Sequence, residues 1–266
     1  MMTTGEKARR LQETTSMLCV GLDTSIDRLP AGIPKTVQGM VAFNRRIIEA
    51  TKDVCCAYKI NFAFYEQYGH EGVAALEQTA DLLPDSHVRI ADAKRGDIGN
   101  TAEAYARSVF ERMPFDAVTV SPYMGHDSVE PFLSYADKLV FILALTSNPG
   151  SREFQRLSVH DTPLFRQVMD AALTWSGPAE RGFVVGATHP HELADIRERY
   201  PQVPLLVPGV GAQGGEPVAL REANGGGPAY INSSRAILYA SADVDFAEKA
   251  HEVARMTAAD LQLTAR

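Results

Sequence analysis

The run Asp92-Ala93-Lys94-Arg95-Gly96-Asp97-Ile98 sets two carboxylates and an ammonium close together. Residues two apart on a strand share a face, so Asp92 and Lys94 are expected to point to one side, with Ala93 packed outward. Lys59 stands near the end of another apolar run and can lie beside them on the neighbouring strand. Asp97 follows in the loop, before a helix whose first turn holds Asn100 and Thr101. Lys59, Asp92, Lys94 and Asp97 would then form a network of alternating charge in which each carboxylate keeps its lysine neighbours protonated. Such a set can stabilise negative charge developing on a substrate and deliver a proton to it. Taken alone, the spacing fits equally well a buried ion-pair network that only fixes local structure.

A second feature is Pro208-Gly209-Val210-Gly211-Ala212-Gln213-Gly214-Gly215. Glycines let a backbone turn tightly and approach a ligand closely. Their amides, at the start of a following helix, attract anions. The next apolar run ends in Ser233-Ser234-Arg235, and an arginine can grip a phosphate through two nitrogens at once. Either piece alone reads as a plain glycine turn or a surface arginine. The pair points to a phosphate.

These residues must be positioned by something, and the apolar pattern shows what. Short runs rich in Val, Ile and Leu recur at 18–23, 57–61, 88–94, 117–121, 139–146, 183–188, 205–210 and 229–233. Several are apolar almost throughout, as in strands of a parallel sheet buried on both faces. Between them lie segments of helical spacing. Val37, Val41 and Ile48 begin one such face, opposite Arg45, Arg46 and Glu49, and 102–112, 164–175, 191–199 and 246–256 read similarly. Eight strand–helix units predict an α/β protein, either an open doubly wound sheet or a closed (β/α)8 TIM barrel. The barrel is favoured because polar residues recur at the same place in the units: Asp23, Lys59 and Asn61, Asp92 and Lys94, Ser121, Thr146 and Ser147, then the glycine run and Ser233-Ser234-Arg235. A barrel gathers the ends of its strands into one active site and often places a phosphate at the loops after strands seven and eight. Tyr123, Met124 and Gly125, after Ser121, are candidates for a pocket wall or for ordinary loop packing. No low-complexity linker divides the chain, so residues 1–266 are read as one domain, and Gly225-Gly226-Gly227-Pro228 as a tight loop before the last strand.

Bulk properties exclude several classes. The 266 residues are 45% apolar and 22% charged, ordinary for a globular protein. The net charge of −7, without long blocks of one sign, argues against nucleic-acid or anionic-membrane partners. The three cysteines, Cys19, Cys55 and Cys56, show no metal spacing and read as buried reduced thiols. The seven histidines form no HxH or HExxH pairing with nearby carboxylates, and His189-Pro190-His191 reads as a solvated helix start, so no metal is expected. The N-terminal segment is polar and lacks the apolar stretch of a secretory leader. The longest apolar run, 139–145, is too short for a bilayer, and a cytoplasmic location is expected.

The Asp92–Ile98 run resembles the signature of orotidine 5′-phosphate decarboxylases, and the likeness extends from Leu18-Cys19-Val20-Gly21-Leu22-Asp23 to Ile231-Asn232-Ser233-Ser234-Arg235. The stretches 57–66 and 146–151 resemble its second, mycobacterial-like subgroup. Other members of the superfamily, acting on keto-sugar phosphates with Mg2+, share the Asp-x-Lys-x-x-Asp frame, but Arg95-Gly96 and the Asn232–Arg235 ending disfavour them. The resemblance implies conversion of orotidine 5′-phosphate to UMP and CO2, the last step of pyrimidine nucleotide synthesis, with no cofactor. It implies a catalytic network of Lys59, Asp92 and Lys94, completed by Asp97 of a second subunit, with Lys94 protonating carbon 6. It further implies Asp23, Lys59 and the second subunit's Thr101 at the ribose, and Ser147 at the pyrimidine edge. Gln213 and Arg235, with amides near Gly211 and Ser234, would hold the phosphate of a homodimer with shared active sites. One departure is Ala236, where the family pattern leads one to expect glycine. If that position needs positive φ, alanine there would cost about 1 kcal/mol.

Overall fold

The computed structural model describes residues 3–186, 190–209 and 216–262. Its strands are β1 (Leu18–Gly21), β2 (Ala57–Asn61), β3 (Val88–Arg95), β4 (Ala117–Val120), β5 (Leu139–Leu145), β6 (Ser158–Val159), β7 (Thr162–Pro163), β8 (Glu180–Val185), β9 (Leu205–Pro208) and β10 (Ala229–Ser233). The helices are α1 (Thr4–Thr14), α2 (Val37–Thr51), α3 (Ala63–Glu66), α4 (Gly69–Asp81), α5 (Gly99–Arg107), α6 (His126–Leu133), α7 (Ser151–Phe154), α8 (Leu164–Thr174), α9 (Pro190–Arg199), α10 (Pro217–Asn224), α11 (Arg235–Leu238) and α12 (Phe246–Asp260). Parallel strands in the order β1-β10-β9-β8-β5-β4-β3-β2 close into a barrel, with helices between them. This is the expected (β/α)8 architecture. Among the described residues, no helix is long and apolar enough to cross a membrane.

All eight expected strands form. The sixth begins earlier than its apolar run, at Glu180, because Leu139 and Val140 of β5 pair with Glu180 and Arg181. The helix expected over 102–112 starts at Gly99 and ends in a π-helical turn, Ser108–Arg112. Besides the short helices α3, α7 and α11, two further elements were not expected. One is the hairpin β6–β7, turned by His160 and Asp161 at φ 50° and 61°, the positive-φ pair that a two-residue hairpin needs. The other is α1, whose Thr3–Glu6 capping box starts the helix.

The core has two compartments. The larger lies between the barrel and its helices. The smaller fills the barrel interior with residues such as Val88, Ile90, Leu139, Phe141, Leu206 and Tyr230, Phe141 meeting Tyr230 edge-on at 5.4 Å. Ala8 and Leu11 of α1 pack against that inner cluster and plug the N-terminal end of the barrel. Gln12 and Thr4 donate to the carbonyls of Ala229 and Asp137 and tie the plug down. All three cysteines are free and buried. Burial pushes the Cys56 thiol up to about 12, so it stays protonated at neutral pH.

Candidate active site

Side chains alternate along each strand, so every second residue faces the barrel axis. Toward the N-terminal end those positions are mostly apolar. Toward the C-terminal end they become Asp23, Lys59, Asn61, Asp92, Asn232 and Ser234, which line a cavity of about 550 Å³. Leu143, Val184 and Leu206 give it an apolar side.

Closure of the barrel pairs β1 with β10, Val20 standing beside Ser233. Asp23 therefore meets Ser234, whose hydroxyl donates to Asp23 Oδ2 at 2.9 Å and accepts from Asn232 Nδ2 at 3.1 Å. Gly21 lies between them. A Cβ there would collide with Ser234 Oγ, so only glycine lets the strands close around this contact. The register of β1 on β2 sets Gly21 beside Lys59, and that of β2 on β3 sets Asn61 beside Asp92. Lys59 Nζ then donates to Asp23 Oδ1 and to Asp92 Oδ2, both at 3.1 Å. Burial alone would lower the Lys59 pKa, but the two carboxylates outweigh it and hold the ammonium above its ordinary value. Burial would likewise raise Asp92; Lys59 and Lys94 reverse this and hold its carboxyl at about 2.

Lys94 reaches the network by a different route from the simple alternation expected. Ala91 pairs with Val118, but Arg95 pairs with Val120, so residues 92–94 all stand against Thr119. This bulge turns Lys94 into left-handed backbone at φ 46°. Ala93 still packs outward against the helix layer, as expected. The Lys94 ammonium comes back to Asp92 Oδ1 at 2.5 Å, and its side chain is 47% exposed, over the cavity. A β-bulge commonly re-aims a side chain beside an active site.

Ser147 and Arg235 line the same cavity. A Cβ on Gly186 would collide with the Ser147 amide, so glycine just after β8 makes room for this loop. Arg235 is exposed at the start of α11 and forms no ion pair among the described residues. Ala236 lies in that helical turn and is not among the residues of positive φ, so the strain considered for alanine there does not arise.

Asp23, Lys59, Asp92, Lys94, Ser147, Ser234 and Arg235 are thus brought together. Asp97 and Thr101 are not. Asp97 Oδ1 accepts from the Ile98 amide, and Thr101 is exposed in the first turn of α5. Both were expected to serve the cavity of a second subunit, not their own. Gly211 and Gln213 lie outside the described residues. Tyr123 and Met124 do not line the cavity, and Tyr123 is 88% exposed. Among the polar residues that were missed, three stand out. Thr119 is buried on β4 in contact with both Asp92 and Lys94. Asn232 lines the cavity with no partner for its Oδ1 among the described residues. Arg28 lines the Arg235 end, its guanidinium 3.7 Å above the Tyr239 ring. A strict period-two reading of 117–121 and 229–235 would have picked out Thr119 and Asn232. No local signal marks Arg28, which ends the short 3-10 turn Ile26–Arg28 after β1.

Comparison with known proteins agrees with this geometry. The model of the orotidine 5′-phosphate decarboxylase / HUMPS family matches residues 16–250. An orotidine 5′-phosphate decarboxylase of Herpetosiphon aurantiacus is 50% identical over 242 residues, covering 90% of each chain. The structure of Leishmania donovani OMP decarboxylase superposes with a TM-score of 0.84 at 38% identity, covering 99% of this chain and 100% of that one. Leishmania donovani UMP synthase superposes at 0.86 with 40% identity over 98% of this chain, which spans 57% of that longer protein.

Proposed function

This chain belongs to the orotidine 5′-phosphate decarboxylase / HUMPS family, and on that premise we propose that it converts orotidine 5′-phosphate to UMP and CO2. It is a carboxy-lyase of the final step of pyrimidine nucleotide synthesis. The observation that carries the mechanism is the Asp92 carboxylate shared between the Lys59 and Lys94 ammoniums at the cavity. Breaking the bond to the carboxylate leaves its electron pair on carbon 6 of the pyrimidine. The Lys94 ammonium stabilises that charge and transfers its proton to carbon 6; solvent then restores the proton. Asp92, held ionised, faces the departing carboxylate, and their repulsion is relieved as CO2 leaves. Asp23 and Lys59 hold the ribose hydroxyls, and Ser147 the pyrimidine edge.

Arg235 grips the 5′-phosphate, with Gln213 and the amides near Gly211 and Ser234. This binding, remote from carbon 6, favours the chemical step by orienting the pyrimidine. Asp97 and Thr101 act in the active site of a second copy, which makes the working unit a homodimer. The enzyme acts in the cytoplasm and without a cofactor. Asp23 and Asp92 are both turned onto Lys59, an arrangement suited to ammonium chemistry more than to holding Mg2+. The test is ultraviolet absorbance of orotidine 5′-phosphate with purified protein, with and without EDTA. The expected result is a rapid, EDTA-insensitive change with UMP as product. Folded, dimeric protein that leaves the absorbance unchanged would overturn the reading.

A further inference from the structure

Thr119 is fully buried on β4 at an axis-facing position, flanked two residues earlier by Ala117 in the apolar interior. A valine would fill almost the same space and suit a strand as well. What valine lacks is the hydroxyl, and here the hydroxyl is used twice. It accepts the Lys94 backbone N–H at 2.9 Å and donates to Asp92 Oδ1 at 3.1 Å. Thr119 does not line the cavity, so it acts through these two residues and not on a ligand.

Each bond answers a specific need. The bulge takes the Lys94 amide out of the regular ladder with β4. A buried or half-buried N–H without a partner is costly, and φ 46° is a conformation that a lysine adopts only when its surroundings hold it there. The Thr119 hydroxyl supplies that partner. Its second bond goes to the same Asp92 oxygen that receives the Lys94 ammonium. Asp92 Oδ2 is already fixed by Lys59. The carboxylate plane is thus set from both sides, and one hydroxyl controls where the Lys94 backbone begins and where its ammonium ends.

Resting on the decarboxylase reading above, we propose that Thr119 is a positioning residue for the proton donor, holding the bulged backbone of Lys94 in register with the Asp92 carboxylate. Removing the hydroxyl leaves the charges and the cavity wall in place but frees the donor to move. Positional errors of about 1 Å can cost about 100-fold in rate. The effect belongs to the chemical step and not to ground-state binding.

The experiment compares Thr119→Val, Thr119→Ala and Thr119→Ser with the wild type by steady-state kinetics, with UMP affinity by titration and folding by circular dichroism. In Thr119→Val, kcat is expected to fall by roughly 10- to 100-fold, while KM and UMP affinity change by less than about 3-fold. Thr119→Ser keeps the hydroxyl and is expected within about 5-fold of wild-type kcat. Thr119→Ala serves as the hydroxyl-free variant if valine prevents folding. The proposal is overturned if a folded hydroxyl-free variant keeps wild-type kcat, if it loses UMP affinity in step with kcat, or if serine restores nothing. A wild-type enzyme that does not decarboxylate orotidine 5′-phosphate overturns instead the reading on which the proposal rests, and the proposal with it.

Discussion

A buried carboxylate held between two cations occurs at each end of the barrel. At the C-terminal end Asp92 joins Lys59 and Lys94. At the N-terminal end Asp116 joins Arg89 and Lys7: it accepts the Arg89 backbone N–H and Nε at 2.9 and 3.0 Å, and Lys7 Nζ at 2.9 Å. Both carboxyls are held below their usual range by these cations against the opposing effect of burial. The lysines differ. Lys7 carries a burial penalty that Asp116 does not fully offset, so its pKa is lowered. Lys59 stands between two carboxylates and is raised. Lys7 comes from α1, the plug, whereas Lys94 sits on a left-handed bulge and leaves its ammonium over a cavity. Charge composition therefore does not distinguish a staple from the network proposed to be catalytic. The strand end does, together with a backbone conformation that packing alone would not choose.

The sharpest way to test this contrast is to remove a cation from the C-terminal network. Lys94→Ala is expected to lower kcat by at least about 1,000-fold while UMP binding is largely kept. Substantial residual decarboxylation in single-turnover assays would remove Lys94 as proton donor. Next in size is Arg235→Ala, which takes away the proposed phosphate grip. It is expected to lower kcat/KM by about 2–4 kcal/mol in transition-state terms. An unchanged value would take Arg235 out of the phosphate site.

At the other end, Asp116→Asn leaves Lys7 and Arg89 without their shared anion. A loss of about 1–3 kcal/mol in stability is expected by denaturant titration, with kcat per folded enzyme unchanged. A kcat loss there as large as that of a C-terminal variant would erase the distinction between the two ends.

The smallest effect is on acid stability, where the two ends should behave alike. Asp92 has a folded-state value of about 2 against an ordinary 3.8, so its contribution is present above the ordinary value and lost as pH falls through about 2. That contribution amounts to about 2 kcal/mol at neutral pH. Asp116, also depressed, gives a loss of the same sign. Melting temperature against pH should fall less steeply below pH ~4 in both Asp92→Asn and Asp116→Asn, while only the former loses activity. Lys59 works in the opposite sense: with its folded value raised, its contribution is lost only as pH climbs past that value.

Much of the C-terminal end was legible because its signals are local. Asp92 and Lys94 stand in one short run, and strand ends recur along the chain in a fixed relation to the apolar runs. The remainder depends on residues far apart in sequence. The bond from Ser234 to Asp23 exists only because β10 closes on β1. The Thr119 contacts exist only because β3 bulges against β4, a register change that no pattern within either strand announces. The α1 plug was hidden for another reason: its sequence is mostly polar, and only the barrel gives Ala8 and Leu11 something to cover. Asp97 and Thr101 show the converse, since their types suit the chemistry but their own cavity does not receive them.

The sequence by itself determined the eight strand–helix units, the barrel they favour and the identity of most charged groups at its mouth. Periodicity and residue type are properties of the chain, independent of how distant parts meet. Tertiary structure alone decided which ammonium faces which carboxylate, that Lys94 arrives from a bulge, and that one of two similar ion networks opens on a cavity while the other ties down the α1 plug. Those outcomes depend on register and closure, where a shift of one residue moves a side chain from the axis to the outer face.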